Sequence, residues 1–221
     1  MTPYANPLRR DDLLADPHAQ FLIWFAAAGQ AGVPEPEAMA LATATADGAP
    51  SLRMVLLKGA DARGYAFFTN LESRKGTELE ENPRAALLFR WEPLGRQVRI
   101  EGAVEHLPDA ESDMYFASRP PGSQLGAIAS PQSQPIASRA SLEERIAEIA
   151  AAAAATGAPP ARPAHWGGYL LRPAAYQFWQ HRSDRVHDCF RYLPADAAGA
   201  GMGRDAGADA GAGWRIDRLG P

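Results

Sequence analysis

The stretch between residues 38 and 106 constrains the fold most, because short strand-like runs follow one another there with mostly tight turns between them. "MALATATA" ends at Asp47-Gly48, a pair suited to a two-residue hairpin turn, and "SLRMVLLK" follows directly. "RGYAFFTN", "RAALLFRW" and "RQVRIEGAVEHL" continue the series, interrupted by a short helix over "SRKGTELEEN" that Asn82-Pro83 closes. Connections this short leave no room for crossover helices, so the strands are expected to be antiparallel. The pattern predicts a β-barrel or sandwich, not a βαβ sheet.

Helices flank this core. "ADPHAQFLIWFAAAG" predicts one with Asp16 as N-cap, Pro17 at its first position and Gly29 as its stop, burying Phe21, Trp24 and Phe25. After residue 108 come short helices over "DAESDMYFASR" and "SQLGAIAS". A longer one follows over "SLEERIAEIAAAAAATG", with Ser141 and Glu144 as a capping box and Gly157 as its end. Strands return at "GGYLLRP", "AYQFWQ", "CFRYL" and "GWRIDRL". The Gly/Ala/Asp tract 194–213 is too poor in apolar residues to pack and predicts a disordered hairpin loop. The expectation is one domain over 1–221, a mainly β, α+β barrel decorated by helices, with a single core.

Composition narrows the function. A net charge of −4 argues against a general nucleic-acid surface, while leaving a local basic pocket open. No apolar run reaches the length of a membrane span, the N-terminus lacks a signal-like apolar core, and the one cysteine suits a reducing compartment, so a cytoplasmic location is expected. Lys58 and Lys75 are the only lysines among 22 basic residues. Against so strong an arginine background, each lysine flags a place where a compact ammonium is wanted, although chance retention would leave the same two.

Both lysines fall in chemically suggestive places. Arg53 and Lys58 bracket an apolar strand and can flank an anion, although two solvated strand ends would look the same. Arg74 and Lys75 sit at a helix start, where the dipole disfavours cations unless an anion joins them. Tyr115, Arg119 and Ser123 recur at four-residue steps and together offer a guanidinium fork and two hydroxyls, a set that fits a phosphate monoester. Gln132 and Ser133 add hydrogen-bonding groups on a loop. "FWQHRSDRVHDCF" gathers Trp179, Arg182, Arg185, His187, Asp188 and Cys189, with Arg185, His187 and Cys189 alternating onto one face if the segment is extended. No nucleophile motif surrounds Cys189, and His181 with Asp188 gives no familiar metal spacing, so no metal site is expected and the cysteine reads as passive.

In order along the chain, "RMVLLK", "FFTNLESRKG", "NPRAALLF", "RQVRIEG", "YFASRPPGSQLG", "PQSQPI", "HWGGYLLRP", "FWQHRSDRVHD" and "WRIDRLGP" resemble the pyridoxine/pyridoxamine 5′-phosphate oxidase family. The resemblance implies an FMN-binding split β-barrel working as a homodimer with the flavin at the interface. It implies an oxidase that converts pyridoxamine or pyridoxine 5′-phosphate to pyridoxal 5′-phosphate with dioxygen, releasing hydrogen peroxide. Carried over by motif, Arg53, Met54, Val55, Leu56, Leu57 and Lys58 line the flavin, with Phe68, Thr69, Arg74, Lys75, Gln97, Gln132, Ser133 and Trp179 completing its shell. Lys58, Tyr115, Arg119 and Ser123 grip the substrate phosphate, and Arg185 and His187 cover its ring.

The chain also departs from the family pattern. Cys189 stands where the family carries an arginine that contacts the flavin, Phe68 replaces a usual tyrosine, and only Tyr4 is left to match an N-terminal lid. Two alternatives therefore stay open: a related split-barrel oxidase of another substrate, and a protein that retains FMN or pyridoxal phosphate without turnover.

Overall fold

The computed structural model describes residues 7–196 and 213–221. Helix α1 (Pro17–Gln30) leads into strands β1 (Ala38–Ala44), β2 (Pro50–Leu56), β3 (Gly59–Asp61) and β4 (Gly64–Asn70). Then come α2 (Arg74–Glu81), β5 (Arg84–Trp91), β6 (Arg96–His106), α3 (Asp109–Ser118), α4 (Pro121–Ala129) and α5 (Arg139–Thr156). Strands β7 (Trp166–Gln180), β8 (Asp188–Pro194) and β9 (Trp214–Leu219) end the chain. All pairings are antiparallel, in the order β2-β1-β5-β6-β7-β4-β3, with β8 and β9 added beyond β7.

Strand β7 organises the sheet. Residues 169–180 pair with β6 along one edge, while the other edge takes β4 opposite residues 166–171 and β8 opposite 176–180. The sequence suggested two strands here because Pro173 cannot donate to a ladder. The chain instead stays extended through a register shift opposite Glu101/Gly102, one bent strand where two were expected. That bend lets one strand serve two regions of the antiparallel sheet, in keeping with the expected split β-barrel.

Alternation along the strands drives one face inward. Met39, Leu41, Leu87, Phe89, Val98, Ile100, Tyr176, Phe178, Phe190 and Tyr192 form the core. Helix α1 plugs it: Asp16 caps the helix through His18 N, Phe21 meets Tyr65 and Phe89 edge-on at 4.9 and 5.0 Å, and Trp24 meets Phe178 at 5.2 Å. The long helix α5 starts earlier than expected. Its cap is Ser138, which exchanges hydrogen bonds with Ser141, and Glu144 takes no part in that box. Of the Gly/Ala/Asp tract, residues 197–212 lie outside the described residues, but β8 and β9 on either side pair as a hairpin.

Candidate active site

Strand β2 is the edge of the sheet, and it approaches β4 across a cleft of about 710 Å³. Arg53, Met54, Val55, Leu56 and Lys58 supply one wall, Phe68 and Thr69 of β4 another, and Lys75 of α2 a third. Helix α3 brings Tyr115, the corner after it Arg119, α4 Ser123, and the following loop Gln132. Twelve of the residues expected at the site thus share one cleft, a volume within the usual range for cofactor and ligand pockets.

The four-residue spacing of Tyr115, Arg119 and Ser123 works differently from a continuous helix. Helix α3 ends at Ser118, Arg119 and Pro120 are extended, and Pro121 starts α4, so two short helices meet at a corner. All three side chains still reach the cleft. Phe68, Tyr115 and Trp166 stack in a ladder, with 4.1 Å between the first two rings and 5.4 Å from Phe68 to Trp166. Gly168 makes that ladder possible, because a β-carbon there would stand 2.6 Å from the Phe68 ring. The Arg119 guanidinium lies over Trp166 at 4.9 Å, and its Nη1 is buried without a hydrogen-bond partner. A buried donor left open beside two hydroxyl-bearing side chains is what an anion would complete.

Lys75 is buried and points its ammonium at Thr69 Oγ1 (3.0 Å), Ser73 Oγ (3.1 Å) and Gln132 Oε1 (2.6 Å). Burial, reinforced by nearby Arg53, pushes it down to about 8, with Glu78 pulling the other way. Arg53 is fixed by the Leu41 carbonyl at 3.2 Å and by Glu78 at 3.2 Å. Arg74 is half out in solvent and bonded to Glu78 at 2.8 Å, outside the cleft lining. Leu57 turns into the core, and Ser133 is exposed at a left-handed loop position, φ 70°.

The remaining expected residues lie elsewhere. Gln97 and Trp179 line a separate hollow of about 170 Å³ with Arg96 and His181, sharing no residue with the main cleft. The His187 ring packs on Trp179 at 4.6 Å, and its Nδ1 accepts from the Arg182 backbone N–H at 3.0 Å. Arg185 is exposed at the loop tip, with φ 63°. The expected alternation of Arg185, His187 and Cys189 on one strand face does not form, because β8 begins only at Asp188. Cys189 is buried, opposite Trp179 in register, and receives the Gln177 amide at 3.0 Å. Burial pushes its thiol up, away from the thiolate a nucleophile needs. Among the described residues, no cluster of three or more His, Cys, Asp or Glu could hold a metal.

Sequence reasoning missed Trp166, Asn70, Ser130, Gly126 and Ala127, which also line the cleft. Only Trp166 carried a signal, an aromatic followed by two glycines on a strand, where a neighbour must approach closely. It also missed Glu78, whose partners Thr43, Ser51 and Arg53 are distant in sequence.

Residues 25–153 match the family described as pyridoxamine 5′-phosphate oxidase, and residues 166–221 match the pyridoxine 5′-phosphate oxidase C-terminal dimerisation region. A pyridoxine/pyridoxamine 5′-phosphate oxidase of Bordetella petrii is 55% identical over 216 residues, 98% of this chain and 94% of that one. One from Salinibacter ruber is 51% identical, over 97% of this chain and 93% of its own. Among solved structures, PhzG from Burkholderia lata 383, in complex with tetrahydrophenazine-1-carboxylic acid, is 34% identical with a TM-score of 0.84, covering 99% of this chain and all of that one. A pyridoxamine 5′-phosphate oxidase-related, FMN-binding protein from Nostoc punctiforme shares the fold at 14% identity, with a TM-score of 0.68 over 95% of this chain and 100% of its own.

Proposed function

Since the chain belongs to the pyridoxamine 5′-phosphate oxidase family, we propose that it holds FMN and oxidises pyridoxamine or pyridoxine 5′-phosphate to pyridoxal 5′-phosphate, passing the electrons to dioxygen as hydrogen peroxide. One observation carries this reading above the family resemblance. Two sets of anion-gripping side chains line a single cleft: Arg53 with Lys75, and Lys58, Tyr115 and Ser123 with Arg119, whose buried Nη1 has no hydrogen-bond partner. A phosphorylated cofactor beside a phosphorylated substrate needs two such sets.

The donor set suits FMN. Arg53 and Lys75 would hold its phosphate, and Thr69 and Gln132 would add hydrogen bonds. Once bound, the flavin supplies the two-electron acceptor that no side chain offers. The chain's part is placement. Arg119 and its hydroxyl neighbours fix the substrate phosphate, a binding contribution shared by ground and transition states. His187 accepts at Nδ1, so its neutral ring carries the proton on Nε2 and presents a donor to the substrate ring.

The two groups of residues join across a homodimer, in which Gln97, Trp179, Arg185 and His187 of one protomer close over the cleft of its partner. Two features support the dimer: the match to a dimerisation region, and an exposed apolar row on β2, with Leu52 69% and Met54 64% exposed. Among the described residues no helix is long and apolar enough to cross a membrane.

The PhzG likeness favours a second reading, an oxidase of a ring carboxylic acid, which carries a carboxylate and no phosphate for the Arg119 group to hold. Adding pyridoxine 5′-phosphate anaerobically to the flavin-loaded protein separates the readings. Bleaching of the flavin, with colour returning in air alongside aldehyde and peroxide, is the expected result. A flavin that bleaches only with tetrahydrophenazine-1-carboxylic acid establishes the second reading, and one that bleaches with neither leaves a carrier.

A further inference from the structure

The cations of the cleft stand around a carboxylate that does not itself line it. Glu78, in the second turn of α2, is 2% exposed, and both of its oxygens are engaged. Oε1 accepts from Arg74 Nε at 2.8 Å; Oε2 accepts from Arg53 Nη2 at 3.2 Å and from the hydroxyls of Thr43 and Ser51. Those two hydroxyls accept in turn from Arg53. One carboxylate therefore ties β1, β2 and α2 together behind the wall of the cleft. Burial alone would push Glu78 up, yet the hydrogen bonds from Ser51, Thr43, Arg74 and Arg53 bring it to about 2, so it is ionised at any working pH.

We propose that Glu78 is a positioning residue for the anion site: it fixes the Arg53 guanidinium in the cleft wall and supplies the buried counter-charge that lets Arg53, Arg74 and Lys75 crowd together before an anion arrives. The inference rests on the reading that the FMN phosphate sits against Arg53 and Lys75. Without a counter-ion, the three cations repel one another and the guanidinium loses its anchor. A buried charge deprived of its partner is strongly disfavoured.

Lys75 reports the charge. The charged groups acting on its ammonium are Arg53 from β2 and Glu78 from α2, while Thr69 of β4, Ser73 and Gln132 give it neutral contacts. A phosphate binds the ammonium and not the neutral amine. FMN affinity therefore falls as the pH rises through the Lys75 titration near 8. Removing the negative charge at Glu78 takes away a pull toward the ammonium and moves that fall to lower pH.

Two variants separate charge from placement. Glu78→Gln removes the charge at nearly constant shape, whereas Glu78→Asp keeps the charge but withdraws it by one methylene from Arg53, Thr43 and Ser51. The full-length apoprotein is titrated with FMN by flavin fluorescence between about pH 6.5 and 9.5, with thermal melting recorded on the same samples. The wild type is expected to lose affinity with a midpoint near 8. Glu78→Asp is expected to keep that midpoint and bind about tenfold more weakly throughout. Glu78→Gln is expected to shift the midpoint down by roughly half a unit or more.

A purely structural glutamate would lower the melting temperature and leave the midpoint alone. Wild-type affinity in Glu78→Asp overturns the positioning role, and a wild-type midpoint in Glu78→Gln overturns the counter-charge. If Glu78→Gln does not fold, Glu78→Asp alone still decides on positioning. A wild-type apoprotein that takes up no FMN overturns the functional reading, and this inference with it.

Discussion

The cleft between β2, β4, α2 and α4 and the outer face of β6 to β8 are built on opposite plans. The cleft is ionic and prearranged: Arg53 and Lys75 are already held in place by Glu78, Thr69 and Gln132. The outer face is aromatic and open, with Trp179 half-buried, His187 packed on it and Arg185 at an exposed loop tip. A site that must hold phosphates benefits from fixed charges, because ordering them beforehand removes a cost from binding. A surface that covers a planar ring gains from apolar faces, which here remain for a second protomer to use. If the proposed dimer holds, one chain carries two halves that complete each other only across the interface.

The sharpest break is complementation. Arg119→Ala should raise KM, and Arg185→Ala should lower kcat; each is expected to cost about a hundredfold in kcat/KM. Co-expressed, the two variants assort at random, so half the dimers are mixed, and each of these holds one intact site. Activity should then recover to roughly a quarter of the wild type. A mixture no better than its components would place both halves in one protomer and end the comparison as drawn.

Acid should loosen the ionic half first. The folded protein holds Glu78 at about 2 against an ordinary 4.5, so its contribution to stability is fully present above 4.5 and is lost as the pH falls toward 2. That amounts to about 3 kcal/mol. Denaturant unfolding followed from pH 7 down to pH 3 should steepen accordingly, and Glu78→Gln should flatten the dependence. An equal pH dependence in both proteins would mean the carboxylate is not held as its hydrogen bonds imply.

A smaller effect is expected at the apolar row. Met54→Glu puts a charge on an exposed strand position and should weaken dimerisation about tenfold, read by light scattering across protein concentrations. Unchanged association would move the interface away from β2.

The two halves were also unequally legible in the sequence. Strands and turns could be read because alternation and Asp47-Gly48 are local signals, and the one strand misread as two, β7, turned on Pro173, whose missing donor is absorbed by a register shift. Lys75 stood out as a cation at a helix start and Arg119 through its spacing with Tyr115 and Ser123, whereas Arg53 could equally have been a solvated strand end. Glu78 could not be singled out, since its importance comes from β1 and β2 folding over it, far away in sequence. Nor could the separation of Trp179 and His187 from the cleft be read, because motif order says nothing about which edge of β7 a neighbour occupies.

Cys189 offers the finest test of the division, because the resemblance places a flavin-contacting arginine at its position. Here the side chain is buried on the aromatic half, takes a hydrogen bond from Gln177, and has its thiol pushed up by desolvation. A protonated, enclosed thiol neither attacks nor holds an anion. On the proposed reading, the grip on phosphate then falls to the residues of the cleft. Cys189→Ser should therefore leave kcat/KM and FMN affinity within about twofold of the wild type, and a thiol reagent should modify the native protein far more slowly than the unfolded one. A large loss in Cys189→Ser would show that the aromatic half contributes chemistry through this position, and would blur the line between ionic grip and aromatic cover.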